Sequence, residues 1–195
     1  MPVEELSSGP GIISTSNSGA TWSTQTLPAF IESLAGISCP AITTCFAVGT
    51  IYNLSTETIV PTILSTTNSG QTWTDQLAPS GITSLTSISC ASGTMTCFAS
   101  GSGVIETIDG STWTISITPG TTTFDSVECV DPSNCAVEGG ATLLTSDNGG
   151  ATWISQAVPS NVADLLEMTC FNTANCQSVG VGTNDGAIIM PFTNT

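Results

Sequence analysis

The chain has no lysine, no arginine and no histidine among its 195 residues, while Asp and Glu number fifteen, for a formal net charge of -15 at pH 7. Each absence closes off a class of function. Without Lys or Arg the surface can neither form side-chain salt bridges nor neutralise phosphates, and electrostatic affinity for nucleic acid depends on that neutralisation. Nucleic acid is therefore excluded as a partner, and so is polybasic attraction to anionic membranes. Without His there is no Ser-His-Asp or Cys-His site; without Lys there is no Ser-Lys site and no side-chain Schiff base. No G-x-G-x-x-G occurs, and a P-loop would lack its lysine. No apolar run approaches the roughly 18 residues of a spanning helix, so membrane insertion is not expected. The opening residues, "MPVEELSSGPG", carry neither a basic n-region nor an apolar stretch, so no signal peptide is expected within them.

Paired carboxylates survive this exclusion, since glycoside hydrolysis needs only two suitably spaced Asp or Glu residues. The densest local group is Asp125, Glu128 and Asp131 around Cys129. It reads as a solvated loop beside a disulfide, with an oxygen-ligated calcium site as the alternative. No D-T/S-G tripeptide marks an aspartic peptidase. The expectation is a chain without enzymatic activity, cofactor or metal.

The charge imbalance also has a positive consequence. Carboxylates with reference pKa values near 4 are almost all neutral below about pH 3. An ordinary protein is strongly cationic and self-repelling there. This chain is almost uncharged, which points to a surface suited to an acidic medium; the alternative is a Ser/Thr-covered extracellular surface that merely lacks sites for trypsin-like proteases.

What is present is a repeat. "TTNSGQTW" (66 to 73) recurs as "TSNSGATW" (15 to 22) and "SDNGGATW" (146 to 153), and in shortened form as "TIDGSTW" (107 to 113). Trp22, Trp73, Trp113 and Trp153 lie 51, 40 and 40 positions apart. Cysteine pairs keep the same phase: Cys39 with Cys45, Cys90 with Cys97, Cys129 with Cys135, Cys170 with Cys176. Periods of this length signal repeat architecture. Short runs rich in Ile, Val, Thr and Phe between Gly, Pro, Asn and Ser clusters form a strand pattern. "NVADLLEMTC" (161 to 170) is the one stretch with helical character, and its phase in the repeat makes it a strand. The extra segment "IYNLSTET" in the first full unit is expected to be a loop, and its "NLS" (Asn53 to Ser55) fits the N-glycosylation pattern. About forty residues and four strands per unit suit an all-β propeller blade.

Eight cysteines in four close pairs predict four local disulfides, each joining the first and second strands of a blade. Zinc sites favour C-x2-4-C knuckles and often His, whereas these spacings are longer and His is absent. Disulfides imply an oxidising, extracytoplasmic location.

The turn S/T-x-D/N-x-G-x-T-W resembles the Asp-box, or BNR, repeat of sialidases, sortilin-type receptors and photosystem-assembly propellers. In that family it joins the third and fourth strands of a blade. Asn17, Gly19 and Trp22, Asn68, Gly70 and Trp73, and Asn148, Gly150 and Trp153 match it position by position; Asp109 and Trp113 match with a one-residue gap. The resemblance implies structural corners, and the residues agree: Asn or Asp hydrogen-bonds its own loop, Gly accepts positive φ, and Trp wedges an apolar face against a neighbouring sheet. Sialidases hold the substrate carboxylate with an arginine triad, so their activity does not transfer to a chain without arginine.

The expected organisation is one propeller domain over 1–195. It comprises an arm (1–10), a partial blade (11–28), three full repeats (29–78, 79–118, 119–158) and a final partial blade (159–195). A four-bladed ring would close by pairing "TWSTQTLP" with the last blade, where "GIISTS" and "GAIIMPF" compete for one third-strand position. An unpaired apolar edge is a template for association, and non-closing head-to-tail contacts produce filaments. The leading functional expectation is a non-enzymatic structural or adhesive protein of the cell surface, a filament subunit that pairs with itself through its termini. The alternative is a module that binds glycans or a cell-surface protein.

Overall fold

The computed structural model describes residues 9–192 except 119, 121 and 185. Those residues form seventeen strands and, among them, no helix. A two-stranded sheet pairs β1 (Ile13–Ser14) with β2 (Ser23–Thr24). Three four-stranded antiparallel sheets follow, each in simple sequence order. They are β3 (Ile31–Ala41), β4 (Thr44–Asn53), β5 (Thr58–Thr66) and β6 (Thr74–Leu77); β7 (Leu85–Cys90), β8 (Cys97–Gly101), β9 (Val104–Thr107) and β10 (Thr114–Ile117); and β11 (Ser126–Cys129), β12 (Cys135–Gly139), β13 (Thr142–Ser146) and β14 (Ile154–Ser155). A three-stranded sheet of β15 (Val162–Asn172), β16 (Asn175–Gly182) and β17 (Ala187–Phe192) ends the series.

Burial follows from how these sheets stack. Strands β8 and β12, "CFASG" and "CAVEG", are buried along their whole length because another sheet covers each face. A strand covered on both faces reads as a continuous small or apolar run rather than an alternation. The fourth strands β6, β10 and β14 lie outermost and are largely exposed. The core is thus a series of inter-sheet layers. Phe46, Val48 and Ile63 meet Leu85, Ile88 and Trp113 in one layer; Phe98 and Val104 meet Phe124, Val127 and Val137 in the next; Ala136 and Leu143 meet Val162, Leu165 and Met168 in the third.

Disulfides join Cys39 to Cys45, Cys90 to Cys97, Cys129 to Cys135 and Cys170 to Cys176, pinning the first strand of each of four sheets to its second. Four residues after the second cysteine, Gly49, Gly101, Gly139 and Gly180 face a close backbone approach. A Cβ at any of them would collide with the carbonyl oxygen of Ser33, Ser84, Thr123 or Asp164, respectively. The glycine lets the two strands close at that point.

Two sequence expectations change. The segment expected as a loop at 51–58 instead lengthens a hairpin, with Ile51 opposite Val60, Tyr52 opposite Ile59 and Asn53 opposite Thr58. Its β-branched and aromatic residues favour pairing, and Asn53 Oδ1 organises the short turn by accepting the amides of Ser55 (2.9 Å) and Thr56 (3.3 Å). The pairing that a four-bladed ring would need is also not made among the described residues. Strand β2 pairs with β1, not with β17, so the two rivals for one third-strand position occupy separate sheets and the series stays an open arc.

Candidate functional site

The repeated tryptophan turn is the structural unit from which any site here is made. In the first copy the Thr15 hydroxyl donates to Asn17 Oδ1 (2.9 Å) and accepts the Gly19 amide (3.0 Å), while Asn17 Oδ1 also accepts the Thr21 amide (2.9 Å). Thr66, Asn68, Gly70 and Thr72 repeat that network, as do Ser146, Asn148, Gly150 and Thr152. The gapped copy reaches the same end with a carboxylate: Asp109 Oδ1 accepts from Thr107 Oγ1 (3.0 Å) and from the amides of Ser111 (2.8 Å) and Thr112 (2.7 Å). Those backbone donors hold the Asp109 carboxyl well below the usual carboxylate range. Gly19, Gly70 and Gly150 take φ values of 87°, 80° and 82°, a left-handed conformation open to glycine at little cost.

The second, third and fourth turns each close a joint between neighbouring sheets. The Trp73 indole N–H donates to Gln25 Oε1 (2.8 Å), Trp113 to Gln76 Oε1 (2.7 Å) and Trp153 to Ser116 Oγ (3.0 Å). The acceptor is always the residue three positions after the tryptophan of the preceding repeat. It also reaches back into the turn: Gln76 Nε2 donates to the Gly110 carbonyl and Ser116 Oγ to that of Gly150, both at 3.0 Å. Trp113 and Trp153 stand edge-on to Phe46 and Phe98, each the residue after the second cysteine of the preceding sheet, with centroids 6.1 and 6.0 Å apart. A second joint runs through the residue before the first cysteine: Ser38 Oγ accepts the amide of Cys90, and Ser89 Oγ that of Cys129, both at 3.0 Å. Neither acceptor position is prominent in a single repeat; aligning the repeats on tryptophan and cysteine brings out both.

The carboxylate group around Cys129 does not converge. Asp125 precedes β11, Glu128 lies on it facing Ser89, and Asp131 caps the following turn by accepting the amides of Ser133 (2.8 Å) and Asn134 (3.0 Å). Burial pushes Asp125 and Glu128 up; at Asp131 burial also pushes up, but the Ser133 and Asn134 donors outweigh it and hold that carboxyl low. Among the described residues no three His, Cys, Asp or Glu side chains gather as a metal site would require.

The carboxylates that stand out are inside the joints. Glu138 on β12 is fully buried; its Oε1 accepts the Ser178 hydroxyl at 2.9 Å, and its Oε2 has no partner among the described residues. Burial pushes its pKa up to about 7, against the pull of Ser178 and with the help of the Glu167 and Asp125 charges. Burial likewise raises Glu106, whose Oε2 is also unpartnered. Both follow the charged-form penalty of a low-dielectric site.

The arc has two unfinished ends. Trp22 is 58% exposed, and its indole N–H has no partner among the described residues, none of which forms a sheet ahead of β1 and β2. An open cleft beside β1 is lined in part by Ile12, Ile13, Ile37, Ile42 and Trp73. At the other end no fourth strand lies beside β17 among the described residues.

No family model matches this chain, and no curated protein sequence matches it. Among solved structures, YCF48 from Cyanidioschyzon merolae is similar at TM-score 0.65 and 19% identity, over 94% of this chain and 63% of its own. The GH74 xyloglucanase from Xanthomonas campestris is similar at TM-score 0.67 and 14% identity, over 90% and 32%. A GH74 enzyme from Niastella koreensis gives 0.62 and 14%, over 93% and 34%. The chain thus spans less than two thirds of the YCF48 chain and about a third of the GH74 chains. At such identities the likeness concerns the fold, and the fold is a β-propeller module.

Proposed function

We propose that this chain is a non-enzymatic structural or adhesive component of the extracellular surface, a module of Asp-box repeats that associates with itself and serves as a filament subunit. The observation that carries the reading is the pair of unfinished ends. Apolar side chains remain exposed there, Ile13, Trp22 and Ile37 at one end and Leu166, Val179 and Ile189 at the other. An unpaired edge beside exposed apolar residues is a template for strand addition. Four disulfides, no free cysteine among the described residues and no helix long and apolar enough to cross a membrane fit secretion. The lack of every basic side chain supports a non-catalytic role and an acidic medium. Sedimentation and negative-stain imaging between pH 2 and 7 test the proposal: regular assemblies are expected, and a chain that stays monomeric at high concentration would refute it.

The cleft beside Trp73 favours a second reading, a module that binds a glycan or a protein segment there. Glycan-array binding lost on Trp73→Ala, with no self-assembly, would select it.

A further inference from the structure

The internal joints specify what each end of the arc lacks. At Trp73, Trp113 and Trp153 the indole donates to the residue at +3 from the preceding tryptophan, and at Trp113 and Trp153 it also lies beside the residue after the preceding sheet's second cysteine and against its own sheet's disulfide. Continuing this rule past Trp153 names the next acceptor, Gln156. Its Nε2 donates to Thr145 Oγ1 (2.7 Å), much as Gln76 Nε2 donates to Ser65 Oγ (3.1 Å), while its Oε1 has no partner among the described residues. Beside Thr145 lies a shallow depression open to solvent, lined in part by Ala136, Ser146, Cys170, Thr173 and Cys176. Ala136 occupies the position of Phe46 and Phe98, and the Cys170–Cys176 bridge that of the disulfides beside Trp113 and Trp153. This is the slot for a tryptophan that the third and fourth strands of the last sheet would carry between them.

The missing piece is present at the other end of the same sequence. Trp22 immediately precedes β2, a fourth strand held to β1 by two residue pairs, Ile13 with Thr24 and Ser14 with Ser23. Strand β17 holds β16 through six pairs and has no strand on its other side among the described residues. Exchanging β1 for β17 as the neighbour of β2 therefore sacrifices little. The second joint agrees: Thr169 stands where Ser38 and Ser89 stand, before the first cysteine of its sheet, and is exposed, awaiting the amide that follows in phase, that of Cys39.

We propose that the two ends join between copies of this chain: β2 of one copy lies on the β17 edge of a second, and its Trp22 enters the depression between the third full sheet and the last, donating to Gln156 Oε1. A second copy is the occupant because its Trp22 turn has the hydrogen bonds of the internal turns, position for position. Closure within one chain is disfavoured by the open arc, which superposes on part of the larger YCF48 chain. The inference rests on the reading of the chain as a self-associating module, yet it can fail separately, since association through another surface would preserve that reading alone.

The test uses Trp22→Ala and Gln156→Ala in the full chain, with sedimentation and light scattering. Each variant is expected to weaken self-association by about 30-fold or more, as a buried aromatic anchor does. Mixed together, the two variants are expected to form one-to-one dimers and stop, because the first supplies an intact Gln156 end and the second an intact Trp22 end. Unchanged far-ultraviolet dichroism and melting of each variant in dilute solution separates this from misfolding. Three results would overturn the proposal: a wild-type monomer, which also removes the parent reading; variants that associate like the wild type, which leaves that reading standing; or a mixture that fails to pair, as closure within one chain requires.

Discussion

Trp22 and Trp73 occupy the same turn with the same hydrogen bonds, yet Trp73 is 7% exposed and Trp22 is 58% exposed. The turn is a local object, made by Thr, Asn and Gly within eight residues. Burial of its tryptophan is a property of the neighbouring sheet. The comparison separates what a repeat does alone from what stacking adds, and the predictions below probe that separation.

The largest contrast is at the glycines. Gly101→Ala drives a Cβ into the Ser84 carbonyl and, since backbone must move, is expected to destabilise by several kcal/mol. Gly11→Ala at the open end meets nothing within 4 Å and should change stability by under about 0.5 kcal/mol. Urea denaturation followed by circular dichroism reads both. Next come the tryptophans. Trp113→Ala removes a buried indole, its bond to Gln76 and its edge contact with Phe46, at a cost of about 3–5 kcal/mol. Trp22→Ala in dilute solution should cost under about 0.5 kcal/mol; equal losses at both sites would abolish the distinction between joint and turn.

The disulfides sharpen the comparison from the opposite side. Their sequence separations of 6 or 7 make short loops, so removing either Cys90–Cys97 or Cys170–Cys176 as a double alanine variant should cost about 2–3 kcal/mol, inside the arc or at its end. A bridge acts mainly on the unfolded chain, and both bridges also pack within inter-sheet layers, so the two losses should be alike. The smallest slope is the pH effect of Glu138. Its folded-state pKa of about 7 lies above the ordinary 4.5, so the folded chain takes up the proton first as pH falls. Stability should therefore rise from pH 7 to 4.5 by at most about 1.4 kcal/mol per pH unit and then level off. Glu138→Gln should flatten that rise in thermal melts. Asp109 and Asp131, held low, act in the opposite sense and withdraw their contribution as pH falls below the ordinary 3.8.

The fold was legible where residues repeat. Phase between the Trp turns and the cysteine pairs announced blades, because each repeat must satisfy the same neighbour. The one-residue gap at Asp109 proved no obstacle, since its carboxylate gathers the same backbone amides that Asn17 and Asn68 gather. The acceptor of each indole was harder to read, because Gln and Ser exchange at that position and only alignment of the repeats reveals it. Glu138 was invisible for a different reason. A lone glutamate in "CAVEG" looks like any surface carboxylate, and nothing local says that the last sheet covers it. Ring closure stays open in the sequence because residues show which strands exist, whereas pairing of β2 with β1 depends on a two-residue hairpin competing with a distant edge.

Acrylamide quenching of tryptophan fluorescence at nanomolar concentration tests the central claim most directly. The account predicts one readily quenched tryptophan and three shielded ones, with the quenched component lost in Trp22→Phe and shielded in the wild type as concentration rises. Four equally accessible tryptophans, or a quenched component that survives Trp22→Phe, would contradict it.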